Sequence, residues 1–185
     1  MNCAQLFRNI FFKLTGEMSY RIKLRGQSSP DQKSPTVKVL LIAFIGASLA
    51  GASLGLLAES SQQALIMGSF GASIFLVMAV PDLPFAQPRN VLAGHFLASA
   101  IGLACFHFIG EGFLIMGFAL GLTTVAMLFF KVAHPPAGSN PIAIFLAGPD
   151  WSFLVTPTLA GALVIVALGI AYNNVWADRS YPKYW

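Results

Sequence analysis

One proline-rich stretch, His134–Pro141, carries the residues best suited to chemistry in this sequence. Its three prolines cannot continue a helix, and the residue before a proline avoids the α region, so an element should end at or just before His134. Asn140 is a favourable N-cap and Pro141 suits the first helical position, which predicts a short helix starting at Asn140. Amide groups at a helix N-terminus attract anions, so this break is a candidate anion site.

His134 is the leading functional residue because a histidine beside a break in the backbone can bind an anion or carry a proton. Gly138, Ser139 and Asn140 complete the candidate site with main-chain N–H groups and polar side chains. Two alternatives stay open. The stretch can be an extramembrane turn capped by Asn140, or His134 can bind carbonyl groups freed where the preceding helix ends.

A second candidate is the small-residue run Gly68–Ser73, in which Ser69, Gly71 and Ser73 would let a ligand approach the backbone and a hydroxyl. Close packing of helices is the alternative explanation.

Arg89 and Asn90 form a third candidate, with Arg89 binding an anion and Asn90 capping the next segment; a plain interfacial arginine is equally compatible. His95 lies inside that segment, and ionisable residues in spans are functional hypotheses by default.

Nothing in the sequence indicates an enzyme. The histidines are far apart and lack metal-binding spacing, and no carboxylate pair lies within a segment. We therefore expect no catalytic residue, no metal, no other cofactor and no nucleic-acid partner.

The composition is that of a membrane protein. Only 10% of the residues are charged and mean hydropathy is +0.72, whereas soluble domains carry about 25% charged residues. Between Val39 and Ala177 there are six charged residues, each close to the end of an apolar run. This pattern predicts an all-α, polytopic bundle of transmembrane helices.

Six apolar segments supply the predicted helices, and one is too short to span about 30 Å of hydrocarbon. The short one is the fifth, Pro141–Gly148. The six predicted segments are Val37–Ala58, Gln62–Val80, Val91–Ile109, Gly112–Ala133, Pro141–Gly148 and Phe153–Tyr172.

Lysine and arginine set the expected orientation. Seven of the eleven precede or begin the first segment, and two more follow the last one, so both termini should be cytoplasmic and the number of crossings even. Six crossings fit, and so do four with two re-entrant segments. We expect a basic N-terminal arm (1–36), a membrane domain (37–176) and a C-terminal tail (177–185), in a bacterial inner membrane.

A weak internal repeat relates the two halves, since Ala79–Asp82 is echoed by Ala147–Asp150. Each half would contain one interrupted segment, a pattern that points to transporter sites. The repeat would be inverted with three crossings per half and parallel with two.

The chain resembles the HPP family of integral membrane proteins over about Pro35 to Trp185. The resemblance is carried by Gly68–Ser73, Gln87–Asn90 with Gly94-His95, His134–Gly138, Tyr172-Asn173-Asn174 and the final Tyr181–Trp185. Ser139-Asn140-Pro141 differs from the small, Thr-containing continuation expected of the family.

The resemblance implies four spans and, by similarity to members in cyanobacteria and chloroplasts, nitrite transport. We therefore expect a transporter or channel for a small inorganic anion, with nitrite as the leading candidate and a proton as a possible co-substrate. Its binding groups would come from the two breaks, with Arg89 attracting the anion. We also expect a homo-oligomer in the lipid bilayer. The alternative function is a non-transporting membrane scaffold or regulator.

Overall fold

The computed structural model describes Gln5, residues 34–61 and residues 67–185, so the predicted arm lies almost wholly outside the described residues. Residues Thr36–Trp185 form one compact unit. The described part of the chain contains six α-helices and no strand, which confirms the all-α prediction. The helices are α1 (Val37–Ser61), α2 (Gly68–Ala79), α3 (Pro88–Ala104), α4 (Phe113–Phe129), α5 (Asn140–Ala147) and α6 (Ala160–Asn173).

Shorter helical turns extend or connect these helices. A π-turn, Cys105–Ile109, continues α3, and 3₁₀ turns occupy Pro84–Ala86 and Pro135–Ser139. A 3₁₀ turn and a π-turn, Trp151–Leu154 and Val155–Leu159, lead into α6.

Three described helical stretches are long and apolar enough to cross a membrane: Val37–Ser60, Pro88–Ile109 and Trp151–Asn173. Helices α2 and α4 are apolar but shorter. Helix α5 has eight residues and is about 12 Å long, which confirms that the fifth segment covers less than half of a bilayer.

Two predictions about the helices are wrong, one about where a helix ends and one about its regularity. Helix α4 ends at Phe129 rather than near His134, because Lys131 has a φ of 55° and turns the chain four residues earlier than the prolines require. The last segment is not one regular helix, since Thr156, directly before Pro157, has φ −131° and ψ 117°. That extended geometry is what a following proline favours.

The start of α1 and the end of α6 lie at the same end of the bundle, here called the tail end because residues 177–185 pack there. Lys38 Nζ lies 2.8 Å from Asp178 Oδ2, and the Tyr172 hydroxyl donates to the Ile42 carbonyl at 2.9 Å. Between these two points the chain must therefore traverse the bundle an even number of times.

Further contacts assign the remaining helix ends. Lys183 Nζ, 3.1 Å from Asp82 Oδ1, places the α2–α3 link at the tail end. Asn90 donates to the Ala133 carbonyl at 2.9 Å, so α4 ends there too. At the opposite end, His107 Nε2 lies 3.0 Å from the Pro149 carbonyl. The described helices thus alternate in direction as in the six-crossing alternative, with α2 and α5 as incomplete passes.

Both incomplete passes begin near mid-depth, beside the centre of α3. The Ser99 hydroxyl of α3 lies 2.9 Å from Asn140 Nδ2 at the start of α5, and 2.9 Å from Thr158 Oγ1. Thr158 in turn donates to the Met67 sulfur, directly before α2, at 3.8 Å. From this level α2 runs to the tail end and α5 to the opposite end.

The tail is part of the packed bundle. Tyr181 is 1% exposed within the apolar core formed by α1, α2 and α6. Its hydroxyl donates to the Ala86 carbonyl at 2.7 Å, and burial raises its pKa well above the usual range. Gln87, fully buried, accepts from the Lys183 main-chain N–H at 2.7 Å. The tail therefore fixes the α2–α3 link in place.

Candidate functional site

Three buried side chains meet between the two incomplete passes, and we call them the His–Ser–His cluster: Ser73, His95 and His134. The Ser73 hydroxyl lies 2.9 Å from His95 Nε2 and 2.8 Å from His134 Nε2. All three residues are 0% exposed. One hydroxyl therefore links two imidazoles that are 39 positions apart in the sequence.

The outer partners of the two imidazoles fix the direction of the hydrogen bonds at the two ends of the cluster. A carbonyl can only accept, so His134 Nδ1–H donates to the Phe85 carbonyl at 2.7 Å. In a neutral ring His134 Nε2 then accepts from Ser73, whose single hydroxyl hydrogen is shared between Nε2 at 2.8 Å and the Ser69 carbonyl at 3.1 Å. An amide nitrogen can only donate, so Asn140 Nδ2 donates to His95 Nδ1 at 3.1 Å and His95 Nε2–H donates to Ser73. With both rings neutral, the two histidines have opposite tautomers.

Each member of the cluster is positioned by a different element. Ser73 lies in the middle of α2, His95 lies two turns inside α3, and His134 is the extended residue before the Pro135–Ser139 turn. Gly94 lets the last two elements approach, because a Cβ at position 94 would lie 2.7 Å from His134 Cβ. The His-Pro-Pro sequence therefore needs the neighbouring glycine of α3 to reach its place.

Asn140 connects the cluster to a second polar chain. Its Nδ2 also donates to Ser99 Oγ, which pairs with Thr158 Oγ1. Its own Oδ1 is buried without a hydrogen-bond partner, and so is Ser69 Oγ in the first turn of α2. Buried polar atoms are nearly always paired in native structures, so unpaired ones at two helix starts point to a ligand or a rearrangement.

Four predicted site residues come together: Ser73, His95, His134 and Asn140. Ser69 adjoins them, since its carbonyl accepts from Ser73 at 3.1 Å. Two capping predictions are wrong.

Asn140 is the first residue of α5 rather than its N-cap, because its side chain turns away to His95 and Ser99. Asn90 lies inside α3 rather than before it, and it bonds to the Ala133 carbonyl, beside His134.

The other predicted residues lie outside the cluster. Arg89 is exposed and its Nη2 donates to the Phe130 carbonyl at 3.4 Å. Ser139 is exposed and bonds within its own turn to the Pro136 carbonyl. Gly71 is exposed and Gly138 is half-buried, with no atom within 4 Å of a Cβ at either position.

Sequence reasoning missed Ser99 and Thr158, which are both 0% exposed. The available signal was a lone hydroxyl residue inside an apolar span. The Phe85 carbonyl had no sequence signal at all, because any residue supplies one. No group of three His, Cys, Asp or Glu residues placed to hold a metal ion occurs in the described ranges.

Residues 32–182 match the family described as HPP, transmembrane region. The chain belongs to this family. Two proteins of Dictyostelium discoideum, both named as transmembrane proteins, are similar to this HPP protein, at 33% identity over 136 residues and 30% over 128 residues. The matched regions cover 69% and 65% of the present chain but 48% and 41% of those relatives, so it spans about half their length or less.

No solved structure matches the HPP chain. The family match confirms the resemblance seen in the motifs. The relatives' names place them in a membrane and state no substrate. The bacterial inner membrane and the cytoplasmic termini expected from the sequence stay predictions.

Proposed function

We propose that this HPP protein transports a small inorganic anion, with nitrite as the leading candidate. The observation that carries the proposal is the position of the His–Ser–His cluster, beside the mid-depth starts of two incomplete helices. Broken helices whose N-termini lie near the membrane centre are a recurring way to bind anionic groups in transporters.

The chemistry at these helix starts suits a singly charged anion. The first-turn N–H groups of a helix and its dipole favour negative charge. The unpaired Ser69 hydroxyl at the start of α2 is a further available donor. No lysine or arginine of the described residues bonds to the cluster, so an anion would meet neutral donors, which favours release as well as binding.

The order of the helices adds a second line of support. Helices α2 and α5 are the middle elements of the two halves, Val37–Ala104 and Phe113–Asn173. With three passes in each half, the weak sequence repeat would be inverted, the arrangement in which binding sites lie at the repeat interface. Because the cluster is closed to solvent, transport requires the two halves to separate alternately toward each side.

Uptake of nitrite into proteoliposomes tests the proposal. The wild-type protein should raise uptake above that of protein-free liposomes, and His134→Ala should lower it at least tenfold with the protein still folded. Thr124→Ala is a matched control, because Thr124 is exposed on α4 and bonds only to the Leu120 carbonyl of its own helix. Absence of wild-type flux for nitrite, nitrate, formate and chloride would reject transport.

A non-transporting scaffold is the second candidate, and the complete burial of the cluster favours it. In that case the hydrogen bonds serve only to hold α2, α3 and the His134 turn together. His134→Ala would then lower stability, and removal of the residues before Pro35 would abolish partner binding. A transporter should keep its flux after that removal.

A further inference from the structure

With both rings neutral, the His–Ser–His cluster is a one-way chain of hydrogen bonds, and each of its three members can change direction. Asn140 donates to His95, His95 to Ser73, Ser73 to His134 and His134 to the Phe85 carbonyl. Imidazoles and hydroxyls can each donate or accept. This chain can take up one additional proton if Asn140, its first donor, instead accepts a hydrogen bond from His95.

Asn140 has the atom required for that change. Its Oδ1 is buried and unpaired, whereas its Nδ2 makes the bonds to His95 Nδ1 and Ser99 and a longer contact, 3.4 Å, to the His95 carbonyl. A half-turn of the amide would bring Oδ1 to those two positions. The hydroxyl pair of Ser99 and Thr158 permits this, since either of its oxygens can be the donor. Ser99 would then donate to Oδ1 and Thr158 to Ser99, and the two long contacts, Thr158 to the Met67 sulfur and Asn140 Nδ2 to the His95 carbonyl, would be given up.

No charged side chain in the described ranges is placed to balance a proton on the cluster. Helices α2, α4 and α5 contain no Asp, Glu, Lys or Arg. On the adjoining segments, Asp82, Arg89 and Lys131 are exposed. Asp82 pairs with Lys183, and Arg89 bonds to the Phe130 carbonyl.

An imidazolium without a partner is strongly disfavoured in a buried site. A proton on the cluster therefore needs a bound anion beside it, and a bound anion is in turn stabilised by the proton. Binding of the proton therefore raises the affinity of the cluster for the anion, and binding of the anion raises its affinity for the proton by the same factor.

We propose, on the basis of the function proposed above, that the cluster carries one proton with each anion, so that transport is electroneutral proton–anion symport. A hydronium ion from the side of anion entry gives up a proton, which forms an N–H bond at His95 Nδ1, and the hydrogen bond from Asn140 Nδ2 is replaced by one from Nδ1–H to Asn140 Oδ1. Ser73 can pass the positive charge to His134: the proton of His95 Nε2 moves to the Ser73 oxygen while the Ser73 hydroxyl proton moves to His134 Nε2. Reversal of these transfers and loss of one proton from His95 Nδ1 together with the anion restore the neutral cluster.

The test measures nitrite and proton entry together in proteoliposomes that contain the full chain and an internal pH dye. Potassium and valinomycin set the membrane potential, and the leak of protein-free liposomes is subtracted. We expect one proton to enter per nitrite, at a rate that does not change with potential. Nitrite entry without acidification, or with a rate that follows the potential, would overturn symport and leave transport intact. Absence of nitrite entry would overturn both proposals.

Asn140→Asp gives a second readout that does not depend on the amount of folded protein, because it is a ratio. A carboxylate beside His95 would supply the balancing charge permanently, so the ratio of protons to nitrite should fall from one toward zero. Thr124→Ala should keep a ratio of one. A ratio of one in Asn140→Asp would refute the role of the amide.

Discussion

Substitution of Gly94 by alanine should separate His134 from Ser73. The added Cβ would lie 2.7 Å from His134 Cβ and 3.3 Å from the Val132 carbonyl, whereas ordinary contact begins near 3.4 Å. The turn that carries His134 must therefore move by about 0.7 Å, and a rigid imidazole would transmit much of that movement. The 2.8 Å bond from Ser73 to His134 would lengthen toward 3.5 Å, the limit of a hydrogen bond.

The expected cost is about 1–3 kcal/mol, the usual range for an extra carbon in a packed site. Thermal unfolding in detergent, followed by tryptophan fluorescence, measures the loss of stability, and nitrite uptake measures the loss of function. Uptake should fall at least tenfold in the folded protein, because only the cluster geometry has changed.

Gly121→Ala is the matched control for this substitution. Gly121 is an exposed helical glycine of α4, with no atom within 4 Å of the added Cβ. Alanine there should keep full uptake and raise stability by up to about 1 kcal/mol through helix propensity. Equal uptake by Gly94→Ala, Gly121→Ala and the wild type would refute the claim that the cluster geometry matters.

Three further predictions concern the tail end. Gln87→Ala removes three hydrogen bonds of a fully buried side chain, so it should lower unfolding stability by about 3 kcal/mol. Tyr181→Phe removes one bond to a carbonyl and should cost about 1 kcal/mol; an unchanged melting temperature would show that the tail does not hold this link. The hydrogen bond from Lys38 lowers the pKa of Asp178, so this pair stabilises the fold above about pH 4 and loses that effect as the pH falls through the lowered value. Lys38→Ala should therefore lower the melting temperature slightly at pH 6 and by progressively less as the pH falls below about 4, and an effect independent of pH would contradict this assignment.

The membrane class and the two interruptions followed from the sequence because they depend on local properties. Apolar runs and sparse charge report burial in lipid, and prolines after His134 end regular helix whatever surrounds them. The short helix from Asn140 to Ala147 was predicted within one residue at each end for the same reason.

The contact between the three residues of the His–Ser–His cluster could not be predicted from the sequence. Ser73, His95 and His134 were each candidates, but their contact depends on how α2, α3 and the 135–139 turn pack. Asn140 shows the same limit, since tertiary partners drew its side chain away from the capping position that its residue type favours. The sequence also left four and six crossings open, and the contacts of Lys38 with Asp178 and of His107 with Pro149 favour six.

Nitrogen NMR of protein labelled only at histidine shows whether an anion binds at the His–Ser–His cluster. The chain has three histidines. Two lie in the cluster, and the third, His107, is exposed at the opposite end, where it serves as an internal control. Without anion, the spectrum should show a protonated Nδ1 in His134 and a protonated Nε2 in His95.

Addition of nitrite should shift the ring nitrogens of His95 and His134 in a saturable way and leave His107 unchanged. Saturable nitrite uptake accompanied by shifts of His107 alone, or by no histidine shift, would contradict the claim.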